Sequence, residues 1–354
     1  MELIELVRTA LIVILGAIGL AMFGIVFGLL YKGVDRKISA HMQGRIGPPI
    51  RQPFRDVSKL FVKENIIPEN AIPWVFNLAP LVGLVATISI LLYLPIAGFQ
   101  PFLDGFISSK GDLILILYLL LIPSLAMVIG GFASGSPYAT VGAQREMATM
   151  IAYEFPLAII IISFAYRLYA QQVTNVFTLS AITATPIWGI VGPIGFVGVI
   201  ILLLALVIVT PAELSKIPFD APEAETEIAG GLLVEYSGRN LAMFYLTDGV
   251  KTVVMASLIV ALFFPYNLSP IFGLTEIPAF AIDIAFYLIK VLLVIVFSVT
   301  LIRVAIARLK ISQIVYTYWV WITLMALIGL ILLMWDQKAM ADLNWEPVLK
   351  MIGI

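Results

Sequence analysis

The chain has 354 residues, 61% of them apolar and only 12% charged, with a formal net charge of −1. About a quarter of a soluble domain is charged, so this composition points to a membrane protein, and the near-zero charge argues against a nucleic-acid partner. With no cysteine and one histidine, His41, the chain has no thiolates for an iron–sulfur cluster or disulfide and no imidazole pair for haem.

Apolar runs long enough to cross a bilayer fall near 9–31, 75–98, 112–133, 147–168, 187–210, 241–264, 279–302 and 314–335, each about 20 residues or more. The first is too long for a signal-peptide core and lacks a small-residue cleavage pattern, so it is expected to stay as a span. The predicted fold is an all-α polytopic membrane protein, a single membrane domain over residues 1–354 with about eight transmembrane helices. No internal repeat of the kind common in secondary transporters is visible. Lys and Arg number about 14 in the loops after the odd spans and about five on the other side, which predicts cytoplasmic odd loops and both termini outside.

The first such loop carries the segment 43–64. It turns at Gly44-Arg45-Ile46-Gly47-Pro48-Pro49, and then Phe54, Val57, Leu60 and Phe61 recur at helical spacing opposite Arg55, Asp56, Lys59 and Lys63. That pattern predicts a short amphipathic helix on the membrane surface. Taken alone, a positively charged interfacial anchor explains it.

The second loop leads into the fourth span through Glu146, with Glu154 eight residues on. Glu154 should lie roughly 12 Å deeper and about 80° round the helix from Glu146, close enough for one shared cavity. For Glu146, an acid favourably placed in a first turn, or a partner of Arg145, is an adequate alternative. Glu154 resists that account, because a charged carboxylate so deep costs about 2.5–3.5 kcal/mol unless it meets water, a cation or another polar group.

The stretch 211–240 is the most unusual of the chain: Glu213, Asp220, Glu223, Glu225, Glu227 and Glu235 stand there against only Lys216 and Arg239. Asp220-Ala-Pro-Glu223 resembles a helix-capping arrangement. Capping leaves Glu225, Glu227 and Glu235 unexplained. Carboxylates crowded where water is scarce raise one another's pKa and share protons, a useful property in an energy-coupling device. Within the spans, Asp248 and Lys251 are spaced to neutralise each other. Asp283 and Lys290 share a face of the seventh span and are candidates for an ion path.

Three motifs carry a resemblance: QGRIGPP-IRQPFRDVSKLFVKE (43–64), GAQREMATMIAYEFPL (142–157) and PFDAPEAETEIAGGLLVEYSG (218–238). They resemble the NuoH family, the membrane subunit at the heel of respiratory complex I and its hydrogenase relatives. The resemblance implies a subunit with no redox centre or metal of its own and no bond-making chemistry. It would dock beneath a hydrophilic arm whose small iron–sulfur subunit and large hydrogenase-like subunit carry the iron–sulfur clusters and, in hydrogenases, a NiFe centre. Antiporter-like and other membrane subunits, and the lipid bilayer, complete the implied surroundings. Glu146, Glu154, Asp220, Glu223, Glu225 and Glu235 match the family's water-filled ion-translocation path, and Glu227 falls in the same string. Gly44, Arg45, Gly47, Pro48, Gln52 and Asp56 match its surface for the iron–sulfur subunit.

The quinone-reducing branch usually shows an Asn-Arg pair, a Gly-Leu after the Gly-Pro, and then an Ala-Asp. Here the run is Gln43-Gly-Arg-Ile-Gly-Pro-Pro, followed by Gln52-Pro-Phe-Arg-Asp56. This form is more similar to the subunit of membrane-bound, energy-converting [NiFe] hydrogenases and related sulfur-reducing complexes. The expected function is coupling of electron transfer to proton or sodium-ion translocation. The alternatives are a quinone-binding subunit of an NADH or related dehydrogenase, a stand-alone ion transporter, and a purely structural membrane anchor.

Overall fold

A computed structural model describes the backbone of residues 2–96, 112–274 and 276–342, and side chains over 14–96, 112–274 and 277–338. Of the charges used to orient the chain, Lys110, Lys350 and the side chain of Arg8 lie outside these residues. Within them the regular structure is helical, apart from one isolated bridge between Asp112 and Thr178.

The long helices are α1 (Glu2–Met42), the short α2 (Gln52–Val62), α3 (Pro73–Tyr93), α4 (Leu113–Ala133), α5 (Pro137–Ala170), α6 (Pro193–Glu213) and α7 (Gly238–Phe263). They are followed by α8 (Ile277–Ala305) and α9 (Ile311–Lys338). All but α2 are long and apolar enough to span a bilayer, which makes eight candidate spans among the described residues. The proline or aspartate before an apolar run sets most of the starts. Pro73, Pro137 and Pro193 each occupy a first turn, where the missing N–H costs nothing.

The eight spans and the surface helix match the pattern read from hydropathy. One boundary differs with consequence. The fourth span was expected to begin near 147, but Pro137 starts α5 ten residues earlier. At about 1.5 Å per residue this helix is ~50 Å long, more than the hydrocarbon needs. Glu146 therefore sits in its third turn, not its first, and the dipole-capping account of that residue falls away.

α7 is the hub: 94% of its apolar window is buried, against 33% for α1, α8 and α9, which form the periphery. α1 reaches it by a close backbone approach, where a Cβ on Gly28 would stand 2.6 Å from Gly249 O. Small residues at such crossings let helices pack by direct backbone contact. α8 and α9 each contain a π-helical segment, Val296–Thr300 and Thr317–Ile322. The short link between them holds Arg308.

The two ends of the bundle are tied differently. At one, the 214–237 loop meets α5, the α8–α9 link and the segment after α2, where Ile66 N–H donates to Ser237 Oγ at 3.0 Å. At the other, Leu113 N–H donates to Phe177 O at 2.9 Å, and the Trp188 indole N–H donates to Phe263 O at 2.6 Å.

Candidate functional site: a buried cluster of carboxyls and lysines

A cavity of about 50 Å3 lies where the 214–237 loop meets α4, α6 and α7, lined by Glu213, Lys216, Glu223, Asp248 and Lys251 among others. That space suffices for a few waters, since one needs roughly 10–15 Å3 on this measure.

Glu213 ends α6, and Lys251 reaches it from α7, with Nζ 2.8 Å from Glu213 Oε1. Lys251 also donates to Ser124 Oγ at 3.0 Å, and that hydroxyl lies 3.4 Å from the Tyr153 hydroxyl. Glu146 is wholly buried, and its Oε2 accepts from Ser215 Oγ at 3.4 Å. Its Oε1 has no hydrogen-bond partner among the described residues. A carboxyl oxygen so enclosed calls for a proton or a donor.

On the loop side, Lys216 and Lys32 both approach Asp248 Oδ2 at 2.6 Å. The expected Asp248–Lys251 pair is not formed. Helical spacing suggested it, but the two side chains point to different neighbours on other helices, and each finds a better-placed counter-charge there. Glu146, Glu213, Glu223 and Asp248 thus face Lys32, Lys216 and Lys251, four carboxyls against three amines. One excess carboxyl in a poorly hydrated cluster favours a retained, shared proton. Burial pushes the Glu223 carboxyl from 4.5 up to about 7; Lys216 opposes the rise, while Asp248 and Glu146 add to it.

The loop is folded onto this cluster by two arginines. Arg308 grips Asp220 with Nε at 2.9 Å and a terminal nitrogen at 2.5 Å, and donates to Thr226 Oγ1 at 3.1 Å. Arg145 reaches Glu227 at 2.5 Å and Ala221 O at 3.2 Å. Asp220 makes no capping hydrogen bond to the turn Ala221–Glu223; its carboxylate belongs to Arg308 instead. The chain then breaks at Ala224, so Glu223 and Glu227 are not neighbours on one helix. Gly231, at φ +55, lets the loop close, because a Cβ there would lie 2.0 Å from Pro222 O.

The sequence-selected acids are therefore divided. Glu146 and Glu223 join the cluster, while Glu225 and Glu227 are exposed and Glu235 is half-buried. Glu154 is half-buried further along α5 and lies within electrostatic reach of Glu213. Asp283 and Lys290 lie outside the cluster and form no ion pair with each other, though they are within electrostatic reach. Asp283 accepts from Leu268 N, Ser269 N and Ser269 Oγ, whereas Lys290 donates to Phe264 O and Tyr266 O at 2.9 and 2.7 Å. Sequence reasoning did not single out Lys32, Ser124 or Tyr153, and it counted Glu213 only as one of the loop's acids. A lone cation such as Lys251 within a span was the available signal, since it must find a carboxylate somewhere.

In the first loop, Gln52 donates to Asp56 at 2.8 Å, and Arg36 holds the same carboxylate at 3.3 Å. Arg45 bonds Gln43. Gly44 takes φ +68, and a Cβ on Gly47 would crowd Ala40 at 2.9 Å. Around Pro48 the turn is exposed, with Ile46 fully so. Among the described residues no group of three His, Cys, Asp or Glu is placed to hold a metal ion.

A polytopic helical membrane protein with a buried, ionisable cluster at one end of its bundle is thus defined. The chain belongs to the family described as NADH dehydrogenase, whose model matches residues 14–334. It is 32% identical to a subunit of the NADH-quinone oxidoreductase of Geobacillus sp. (strain WCH70) over 323 residues, covering 87% of this chain and 89% of that one. It is 36% identical to hydrogenase-4 component C of Escherichia coli (strain K12), over 67% of this chain and 71% of the relative. Among solved structures it resembles a chain of the membrane-bound sulfane sulfur reductase, an archaeal respiratory membrane complex. The TM-score is 0.77 at 28% identity, covering 91% of this chain and 99% of that one.

Proposed function

We propose that this chain is the non-catalytic membrane subunit of a complex I-like, hydrogenase-type redox complex, and that it couples electron transfer in a docked hydrophilic arm to movement of protons or sodium ions. The observation that carries this reading is the convergence of Glu213, Glu223 and Asp248 with Lys216 and Lys251 around one small cavity, joined by Glu146 through Ser215 and by Lys32 through Asp248. A negative charge arriving on a centre above the loop draws a proton onto this cluster, and its loss releases one. Burial pushes the Glu223 carboxyl up to about 7, a poise suited to this exchange.

In this reading the small iron–sulfur subunit sits against the exposed turn Gly44–Pro48 with Gln52 and Asp56, and the iron–sulfur or NiFe centres belong to partner chains. Glu154 passes the change on towards other membrane subunits, antiporter-like ones among them. Glu225, Glu235 and Asp220 form the loop side of the path, Glu227 tethers the loop to Arg145 beside it, and Asp283 with Lys290 forms a separate branch. The excess of Lys and Arg on the first, third, fifth and seventh loops supports a cytoplasmic acidic loop and external termini.

The test is the complex reconstituted in sealed vesicles. Glu146→Gln, Glu223→Gln and Glu154→Gln should each leave assembly and electron transfer in place while reducing the ion gradient formed. Undiminished gradients in all three would overturn the assignment. A second reading, a quinone-binding subunit, is favoured by relatives whose names describe NADH-quinone oxidoreductases. The co-purifying subunits decide between them: a large subunit with nickel ligands supports the first reading, and a quinone-reducing arm supports the second.

A further inference from the structure

Residues 264–274 join α7 to α8 at the end of the bundle away from the acidic cluster, and from Thr252 to Thr275 the sequence holds no charged residue. The segment does not leave the bundle as a free loop. Lys290 Nζ donates to Phe264 O at 2.9 Å and to Tyr266 O at 2.7 Å. Asp283 accepts from Leu268 N at 3.0 Å, Ser269 N at 2.8 Å and Ser269 Oγ at 2.6 Å. Lys290 stands roughly 20 Å from the start of α8 and Asp283 roughly 10 Å, so the chain climbs beside the helix over that distance. Pro265 and Pro270 bring no N–H, and Ile271, Gly273 and Leu274 donate to Leu268 O, Pro270 O and Ser269 O within the segment.

A loop in water has no need of such provision, because water pairs its backbone. Non-helical backbone beside hydrocarbon does need it, since nothing in a lipid chain can accept or donate. The side chains point the same way. Ile271 is 75% exposed, Phe272 62% and Ile277 79%. They lie at the upper end of α8, whose outer face continues through the exposed Ile289, Leu293, Phe297 and Leu301 at one-turn spacing, as on a helix bordered by lipid. With its backbone paired inward and no charge, the segment offers a protein neighbour nothing directional to recognise. Hydrocarbon asks for nothing directional.

We propose that residues 264–274 form a lipid-embedded segment, with Ile271, Phe272 and Ile277 against the acyl chains of the adjoining leaflet, and that Lys290 and Asp283 make this possible by taking up backbone groups the segment does not pair itself. The segment fixes the depth of α8 in the bilayer, and through α8 the link that carries Arg308. This holding role is independent of the ion branch proposed for the same two side chains.

The test uses the intact complex in nanodiscs, where both membrane faces are open to solvent. This chain has no cysteine, so an introduced one is its only thiol. Ile271→Cys and Phe272→Cys should react with a membrane-impermeant maleimide at least about tenfold more slowly than Lys338→Cys, because hydrocarbon disfavours the thiolate; Lys338 is exposed at the same end of the bundle. A phosphatidylcholine with a diazirine in its acyl chain should label the 264–277 peptide. Added to Ile271→Cys, Lys290→Met leaves two carbonyls unanswered and should bring the reaction to within about threefold of that at Lys338→Cys. If that variant does not assemble with its partner subunits, Ser269→Ala, which cuts one of the three bonds to Asp283, should speed the reaction about threefold. Reaction at Ile271→Cys as fast as at Lys338→Cys would overturn the proposal, as would slow reaction with no lipid adduct. So would a photo-cross-linker on Ile271→Cys that joins this chain to another subunit in place of lipid. A rate that neither Lys290→Met nor Ser269→Ala alters would overturn the part given to Lys290 and Asp283.

Discussion

Lys251 Nζ lies 2.8 Å from Glu213 Oε1, and neither side chain reaches the surface. Two helices, α6 and α7, are joined there by an ion pair within the bundle. Breaking one half of such a pair strands the other, at a cost of about 3–5 kcal/mol unless the stranded group changes its protonation. Lys251→Met should therefore lower the thermal unfolding midpoint of the purified complex sharply. Adding Glu213→Gln to it should recover much of the loss, because no charge is then left unanswered. If both variants are equally unstable, the pair is not what holds α6 to α7.

Glu223 supplies a pH dependence with a definite sign. Its pKa is about 7 in the fold and 4.5 as an ordinary carboxyl, so the folded chain holds this proton more tightly than the unfolded one. Its contribution to stability is complete below pH 4.5, declines as pH rises between about 4.5 and 7, and is lost above. Glu223→Gln should flatten the stability profile across that window. The same variant should remove a step near pH 7 from the pH profile of gradient formation while electron transfer continues.

Much of this arrangement was legible in the sequence, and the part that was not has a physical reason. Hydropathy runs of bilayer length disclosed all eight spans, and the period of Phe54, Val57 and Leu60 disclosed α2, because both patterns are local. Pairing is not local. Asp248 and Lys251 satisfied the spacing rule for neighbours on a helix, yet each prefers a partner from α1, α6 or the 214–237 loop. Asp220 fitted a capping pattern, yet Arg308, 88 residues away, takes its carboxylate. The acidic string was visible as a crowd. Only the fold separates Glu223, drawn into the cluster, from Glu225 and Glu227, left outside it.

The Arg308–Asp220 clamp makes the α8–α9 link the support of the acidic loop. A two-toothed, charge-assisted contact of this kind contributes about 1.5–3 kcal/mol. Arg308→Met should speed amide exchange in the 220–233 segment by at least about tenfold while exchange in α7 stays slow. Unchanged exchange in that segment would show that Gly231 and the apolar contacts of the loop hold it unaided.

Glu227 is the counter-example within the same string. It pairs with Arg145 at 2.5 Å, but 45% of its side chain is exposed, and pairs so placed contribute about 0–1 kcal/mol. Glu227→Gln should leave thermal stability and the ion gradient nearly unchanged. A loss of gradient as large as that in Glu146→Gln would mean that the path runs over the loop's surface, not through the buried cluster.

At the opposite end of the bundle, Arg167 and Asp336 form another enclosed pair at 3.1 Å, with each side chain 1% exposed. Asp336 also accepts from Gly192 N at 2.9 Å, and Arg167 donates to Ile190 O. The start of α6 and the ends of α5 and α9 are thereby fixed to one point. Asp336→Ala strands a guanidinium, which cannot discharge by losing a proton as a lysine can. It also leaves the Gly192 amide without its acceptor, so a loss of about 3–5 kcal/mol is expected. Asp336→Asn keeps an oxygen for Gly192 and should fall between Ala and the unmodified chain. Because this pair lies far from the cluster, any assembled Asp336→Asn complex should form its ion gradient with the same pH profile as the parent. An altered profile would place Arg167 and Asp336 on the ion path itself.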